Sequence, residues 1–346
     1  MPEPQLPIPH PKTMQAARAL GPNGVVEIAQ VPLRALGPGE VLVQVSVCGV
    51  CRTDLHLIHG ELTMARYPVT PGHEVVGRVV ERGRAASRWA IGDRVGIPWL
   101  GGACGVCEYC RRGLENLCDR AEFTGCTRDG GYAQFAIADE RFCLAIPDRY
   151  SDEVAAPLLC AGLIGYRAYR LAGEGANLGL YGFGAAAHLL AQMAVTQGRN
   201  VFAFTRPGDP AAQQFALQRG ASWAGGSDEA PPEPLDAAIL FAPVGSLVPA
   251  ALAAVKKGGR VVCAGIHMSD IPSFSYSLLW GERSVASVAN LTRADGVEFM
   301  RIAEQMDLRP QVELFRLDEA SSALVALEAG RVNGAAVLVC GQQGGT

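Results

Sequence analysis

Valines at positions 41, 43, 45 and 47 recur with period two, the pattern of a strand with one face turned to a core. Residues 74–81 and 92–97 repeat that texture in shorter form between Gly, Pro and Asp. No 3.6-residue repeat runs through residues 14–145. This half of the chain predicts an antiparallel, barrel-like β domain. From residue 161 the texture changes. Apolar runs at 177–181, 200–204, 235–241 and 260–264 alternate with helical segments at 185–197, 210–219 and 247–255. Strands alternating with helices predict a doubly wound parallel sheet. From about residue 298 the pattern returns to helix and short strand, and that segment is expected to fold back onto the first domain. The predicted organisation is an α/β domain over 161–298 set into a β-rich domain made of 1–160 plus 299–346, with 1–12 as a loose proline-rich tail.

Composition narrows this picture. Of 346 residues, 49% are hydrophobic and 18% charged, which is enough apolar material for two buried cores and excludes general disorder. Thirty Lys and Arg against 34 Asp and Glu leave a net charge of -4, so nothing drives the chain toward nucleic acid or an anionic membrane surface. Two uncharged stretches, 175–198 and 237–255, are broken by Gly, Pro, Asn, Gln or His and read as buried strand-turn-helix units rather than membrane spans. The first twelve residues lack the apolar stretch of a secretion signal, so a cytoplasmic location is expected.

Eleven cysteines in such a chain point to metal ligands or catalytic groups rather than disulfides. Cys104, Cys107, Cys110 and Cys118 stand as C-x2-C-x2-C-x7-C in a Gly-rich loop. Four thiolates this close can enclose one tetrahedral zinc with no open position, which would make the site structural. An iron-sulfur cluster also takes four thiolates, and free thiols or local disulfides are the plainer alternative. A second run, Cys48-Gly49-Val50-Cys51-Arg52-Thr53-Asp54-Leu55-His56, ends the alternating strand. Its C-x-x-C would be a redox pair at the start of a helix in a βαβ unit, but it lies in the β half. Gly72-His73-Glu74 and Leu158-Leu159-Cys160-Ala161-Gly162 add a His, a carboxylate and a Cys that would each pass for packed residues alone.

Gly182-Phe183-Gly184-Ala185-Ala186-Ala187 follows a predicted strand and opens a helix. Gly182 and Gly184 permit the tight turn and the approach of a pyrophosphate, and Ala187 keeps the helix near the sheet. With Ala185 at the helix N-terminus, the segment predicts a dinucleotide site. The next strand ends in Thr205-Arg206 with no carboxylate to hold a ribose 2′-hydroxyl, and a guanidinium suits a 2′-phosphate. NADP(H) is expected over NAD(H), the alternative being a solvated Arg206 and mixed use.

In this order and spacing, these motifs resemble the zinc-dependent medium-chain alcohol dehydrogenases, over about residues 14–339. The resemblance implies a GroES-like catalytic domain from both ends of the chain with a Rossmann domain between. It implies two zinc ions per chain: a structural one on the four-cysteine lobe, and a catalytic one on Cys51, His73 and Cys160 with Glu74 as an alternate ligand. Asp54 matches the carboxylate that orients the histidine ligand, Thr53 and His56 match a proton relay, and Arg52 matches a residue that pairs with the cofactor pyrophosphate. The implied reaction interconverts alcohols with aldehydes or ketones by hydride transfer with the nicotinamide. The family's C-terminal arginine contact has no clear match at Arg331-Val332-Asn333-Gly334-Ala335. Trp99 and Leu100 are expected in the substrate pocket, with Ile266, His267 and Trp280 as further large candidates; Trp99 and Trp280 could equally be core.

Two other readings compete. One is a zinc-independent quinone or enone reductase of the same superfamily, and the other a non-catalytic, zinc-stabilised nicotinamide sensor. The filled ligand positions weigh against the first, and the relay residues Thr53 and His56 against the second. Cys48, Cys126, Cys143, Cys263 and Cys340 read as small buried hydrophobes. A homodimer or homotetramer is expected, paired through a strand edge of the α/β half.

Overall fold

The computed structural model describes residues 10–332 and 334–341. The chain divides into two compact units: 1–160 with 292–305 and 310–346, and 161–291 with 306–309.

The hub of the first unit is the strand Glu40–Val50. It pairs antiparallel with Val75–Arg82 on one edge, and with Phe135–Asp139 and Ala335–Val339 along successive halves of the other. Val41, Val43, Val45 and Val47 are all buried, as the alternation predicts, and Leu42 on the opposite face joins a smaller cluster with Met14, Ala16 and Val80. One pairing lies outside the antiparallel expectation for residues 14–145, and one part of that expectation needs correction. Val312–Arg316 runs parallel to Ala335–Val339, because the intervening helix Ala320–Glu328 supplies the crossover a parallel pair needs. The sheet path from Val312–Arg316 to Leu144–Ala145 is also not closed into a ring by any pairing among the described residues.

The loose tail predicted for 1–12 lies outside the described residues as far as position 9. His10 is already tied down, with Nε2 2.6 Å from Glu81 Oε2.

The second unit is a six-stranded parallel sheet in the order Trp223–Gly226, Asn200–Thr205, Asn177–Tyr181, Leu235–Leu240, Val255–Cys263, Ser284–Ser287. Its central strands are buried along nearly their whole length, as a sheet covered on both faces requires. The rings of Tyr181 and Phe204 stack at 4.0 Å across neighbouring strands. The predicted helices appear as Ala185–Thr196, Pro210–Gln218 and Leu247–Ala254. The edge strands Trp223–Gly226 and Ser284–Ser287 and the helix Ala161–Ala172 were not anticipated.

The chain returns to the first unit at Thr292 rather than after residue 298. Thr292 and Asp295 form a capping box that starts one helix, Arg293–Glu304, so a change of unit at 298 would cut through it. Within the first unit, the Tyr150 hydroxyl donates to the Ala303 carbonyl at 2.7 Å. Among the described residues no helix is long and apolar enough to cross a membrane.

Candidate active site

Three separate segments of the first unit converge on one buried point. The hub strand delivers Cys51 to the N-terminus of the helix Arg52–Ile58, the turn at Gly72 delivers His73 and Glu74, and the short helix Ala156–Leu159 ends at Cys160. One ligand atom from each of Cys51, His73, Glu74 and Cys160 lies within 4.8 Å of all the others, so this group could hold a metal ion. The two sulfurs are 3.6 Å apart. Room for Glu74 comes from Gly49: a Cβ there would lie 1.9 Å from Glu74 Oε2.

The donor set suits a cation. His73 is fully buried, yet neither ring nitrogen makes an aligned hydrogen bond. Its Nδ1 lies 3.4 Å from Asp54 Oδ1, and Nε2 makes no aligned hydrogen bond. Contact with Cys160 pulls the Cys51 thiol well below its ordinary range, and the same contact together with burial pushes Cys160 up. Burial likewise raises Glu74. Burial alone would lower His73, but the Asp54 carboxylate and the Cys51 sulfur together raise it well above its ordinary range. Thiols, imidazole and carboxylate that share protons in a desolvated space are what a soft-to-borderline divalent cation relieves.

Asp54 is the carboxylate behind the histidine. Its Oδ2 accepts from the Cys51 backbone N–H at 2.9 Å and from the Tyr132 hydroxyl at 3.0 Å, and its Oδ1 accepts from the Gly72 N–H at 3.3 Å. Thr53 lies on the same helix turn, its Oγ1 3.6 Å from Cys51 Sγ. His56 Nδ1 pairs with the Glu61 carboxylate. Arg52 is exposed at the start of that helix.

Trp99 is buried with its ring edge-on to His73 at 5.1 Å and stacked on Phe123 at 5.1 Å. Leu100 is buried in a two-stranded pairing with Phe123. Trp280, by contrast, is 68% exposed, so it is not core. The five cysteines read as small hydrophobes are all buried.

Cys104, Cys107, Cys110 and Cys118 bring their sulfurs within 4.8 Å of one another and could hold a second ion. Backbone N–H groups of Val106 and Cys107 donate to Cys104 Sγ at 3.5 and 3.3 Å, and Arg120 N–H donates to Cys118 Sγ at 3.4 Å. The Val106 and Cys107 donors hold the Cys104 thiol down to about 5. A sulfur supplied with N–H donors is prepared to be a thiolate ligand.

In the second unit Gly182 takes φ +85°, and a Cβ there would meet the Ala242 nitrogen at 2.8 Å. Gly184 caps the helix Ala185–Thr196 and has nothing within 4 Å of where a Cβ would point. A helix N-terminus next to such an open glycine is an end that can receive an anion. Ala185 is exposed there, while Ala187 is fully buried and keeps the helix close to the sheet. Thr205 is buried, its hydroxyl donating to backbone carbonyls of Arg206 and Gly225, and Arg206 is exposed just beyond. The arginine contact sought at 331–335 includes Asn333, which lies outside the described residues.

Tyr132 and Phe123 were missed from the sequence. The available signal for Tyr132 was the preceding Gly130-Gly131 pair, which marks close backbone approach. A Cβ at Gly130 would lie 2.1 Å from the Gly72 carbonyl oxygen, beside His73.

Residues 37–148 match the family model described as the alcohol dehydrogenase GroES-like domain. The Mycobacterium tuberculosis protein named Probable alcohol dehydrogenase AdhA is 48% identical over 340 residues, covering 94% of this chain and 97% of its own. Among solved structures, the Sorghum bicolor cinnamyl alcohol dehydrogenase SbCAD4 is 28% identical with a TM-score of 0.87, covering 97% of this chain and 100% of its own. The acetophenone reductase of Geotrichum candidum, solved in complex with NAD, is 27% identical with a TM-score of 0.85, covering 96% and 98%.

Proposed function

This chain belongs to the zinc-type medium-chain alcohol dehydrogenases, and from that premise we propose that it interconverts alcohols with aldehydes or ketones, dependent on zinc and with NADP(H) favoured over NAD(H). The first unit is the GroES-like domain and the second the Rossmann-type domain, and the chain is an oxidoreductase. The observation that carries the reading is the convergence of Cys51, His73, Glu74 and Cys160, with a buried imidazole that has no aligned protein partner. A zinc ion there supplies Lewis acidity to an alcohol or carbonyl oxygen, and the nicotinamide accepts or donates the hydride.

The chain's own residues do the rest. Cys51, His73 and Cys160 hold the metal, Glu74 stands beside them as an alternate ligand, and Asp54 orients His73. Thr53 accepts the alcohol proton and passes it toward His56, which the Glu61 carboxylate holds in place at the helix end. In the reducing direction the proton returns by the same groups. Trp99, backed by Phe123, and Leu100 wall the substrate side.

Cys104, Cys107, Cys110 and Cys118 hold a second, structural zinc. On the Rossmann unit, Gly182, Gly184, Ala185 and Ala187 receive the cofactor pyrophosphate, and Thr205 and Arg206 receive the ribose end. The preference for NADP(H) rests on Arg206 standing where a carboxylate would select NAD(H).

The test is nicotinamide absorbance with NADPH and NADH in turn against aliphatic and aromatic aldehydes, alongside zinc analysis. Turnover favouring NADPH with two zinc ions per chain is expected. Turnover favouring NADH would remove the Arg206 argument, and one zinc per chain or no turnover would remove the catalytic metal. We also propose a homodimer or homotetramer built on the edge strand Ser284–Ser287, beside which Tyr276 and Trp280 are exposed. A monomeric mass in light scattering would overturn that.

A further inference from the structure

Tyr132 is fully buried, and its ring occupies the space left by Gly72: a Cβ on Gly72 would come within 2.3 Å of Tyr132 Cδ1. The backbone around it is fastened to the same loop. The Tyr132 N–H donates to the Pro71 carbonyl at 3.0 Å and the Gly131 N–H to the Gly72 carbonyl at 3.0 Å. A ring needed only for packing would be served as well by Phe, since burying a hydroxyl costs stability unless it is paired. This hydroxyl is paired, and with Asp54 Oδ2 at 3.0 Å. Burial and the nearby Asp54 carboxylate push the phenol well above its ordinary range, so it stays a donor.

The consequence follows from the other atoms of Asp54. Oδ2 is fixed by Cys51 N–H and Tyr132 O–H, which turns Oδ1 toward Gly72 N–H and His73 Nδ1. Without the phenol one of the two donors on Oδ2 is gone, and the Cys51 N–H alone holds that oxygen. The ring of His73, which lies against Oδ1, would then be held less firmly, and with it the aim of Nε2.

Resting on the reading of Cys51, His73 and Cys160 as zinc ligands, we infer that Tyr132 is a positioning residue for that zinc: the Tyr132–Asp54–His73 chain sets the direction of the histidine ligand. Removing the partner of a metal-bound histidine typically costs tenfold or more in metal affinity, and a group one step further out falls toward the lower end of that range.

The experiment measures zinc retained by the full-length protein after dialysis against graded chelator, for wild type and for Tyr132→Phe, Asp54→Asn and Tyr150→Phe. Tyr150 is the control, a buried phenol that donates to the Ala303 carbonyl in the same unit and away from the cluster. Tyr132→Phe should weaken one of two zinc sites by about tenfold and leave the four-cysteine site unchanged. It should also shift the ligand-field bands when cobalt replaces zinc. Tyr150→Phe should lower the melting temperature without either effect.

Wild-type zinc affinity in Tyr132→Phe, beside a loss in Asp54→Asn, would overturn the inference and keep the metal site. So would a loss of both zinc ions in step, or a loss no larger than that of Tyr150→Phe, since either would make Tyr132 a folding residue. No loss in Asp54→Asn would remove the orienting role of Asp54 and the inference with it, whereas two zinc ions retained at wild-type affinity in Cys160→Ser would remove the ligand reading itself.

Discussion

His188 makes the stability of the Rossmann unit depend on pH in a way that can be worked out in advance. The imidazole lies on the first turns of the helix that starts at Gly184, buried against Phe215, with Nδ1 3.2 Å from the Gly184 carbonyl oxygen and Nε2 without a partner. Burial holds it down to about 4, and the Arg219 charge acts in the same direction. A group whose folded value lies below its unfolded value, about 6.5 for histidine, contributes stability that is present above the unfolded value. That stability is lost as pH falls through the folded one. Between pH 7 and pH 5 the loss from this single group comes to about 2 kcal/mol, and by pH 4 to about 3 kcal/mol. His188→Leu removes the titration. Urea unfolding followed by tryptophan emission in a protein that keeps Trp223 and lacks the other three tryptophans should therefore show the His188 protein losing about 2 kcal/mol more than the variant between pH 7 and pH 5. Acid release of metal from the thiolates acts on both proteins alike and cancels in the difference. Parallel profiles would refute the reasoning and mean that the ring is already charged, or exposed, at neutral pH.

Three further outcomes are expected. Cys160→Ser should abolish alcohol oxidation while one zinc ion per chain and the far-ultraviolet circular dichroism persist; full turnover in that variant would remove the catalytic assignment. Arg206→Asp should lower the NADP-to-NAD ratio of kcat/KM by at least about tenfold, since it replaces a phosphate partner with a like charge, and an unchanged ratio would place 2′-phosphate recognition elsewhere. Gly184→Ala should leave the melting temperature nearly unchanged, because the added Cβ meets nothing within 4 Å, yet weaken cofactor binding measured by fluorescence titration. Equal affinity would mean that the pyrophosphate does not approach that glycine.

What the sequence discloses follows the range over which each feature is encoded. Alternation at Val41–Val47 predicted the hub strand, and strand-helix alternation after residue 161 predicted the parallel sheet, because both patterns are local. Trp223–Gly226 is too short and glycine-rich to carry a period, and Ser284–Ser287 alternates over only four residues. The return at Thr292 was legible in principle. Thr292 and Asp295 stand at capping-box spacing before an amphipathic run, a local signal that the boundary at 298 passed over.

The two cysteine-bearing centres separate along the same line. Cys104 and Cys118 are 14 residues apart, and their sulfurs take N–H donors from residues immediately beside them, so the lobe is written almost entirely in its own spacing. Cys51 and Cys160 are 109 residues apart. Closing that loop costs more chain entropy than closing the short one, and the strands of the first unit must be in place before the four donors can meet. Nothing beside either cysteine announces the other; the order of motifs along the chain, matched to a known family, is what joined them. The groups that make the buried centre work as a unit were invisible for the same reason. Tyr132 reaches Asp54 across 78 residues, and only the Gly130-Gly131 pair beside it, which lets two backbones touch, left a trace of that contact in the sequence.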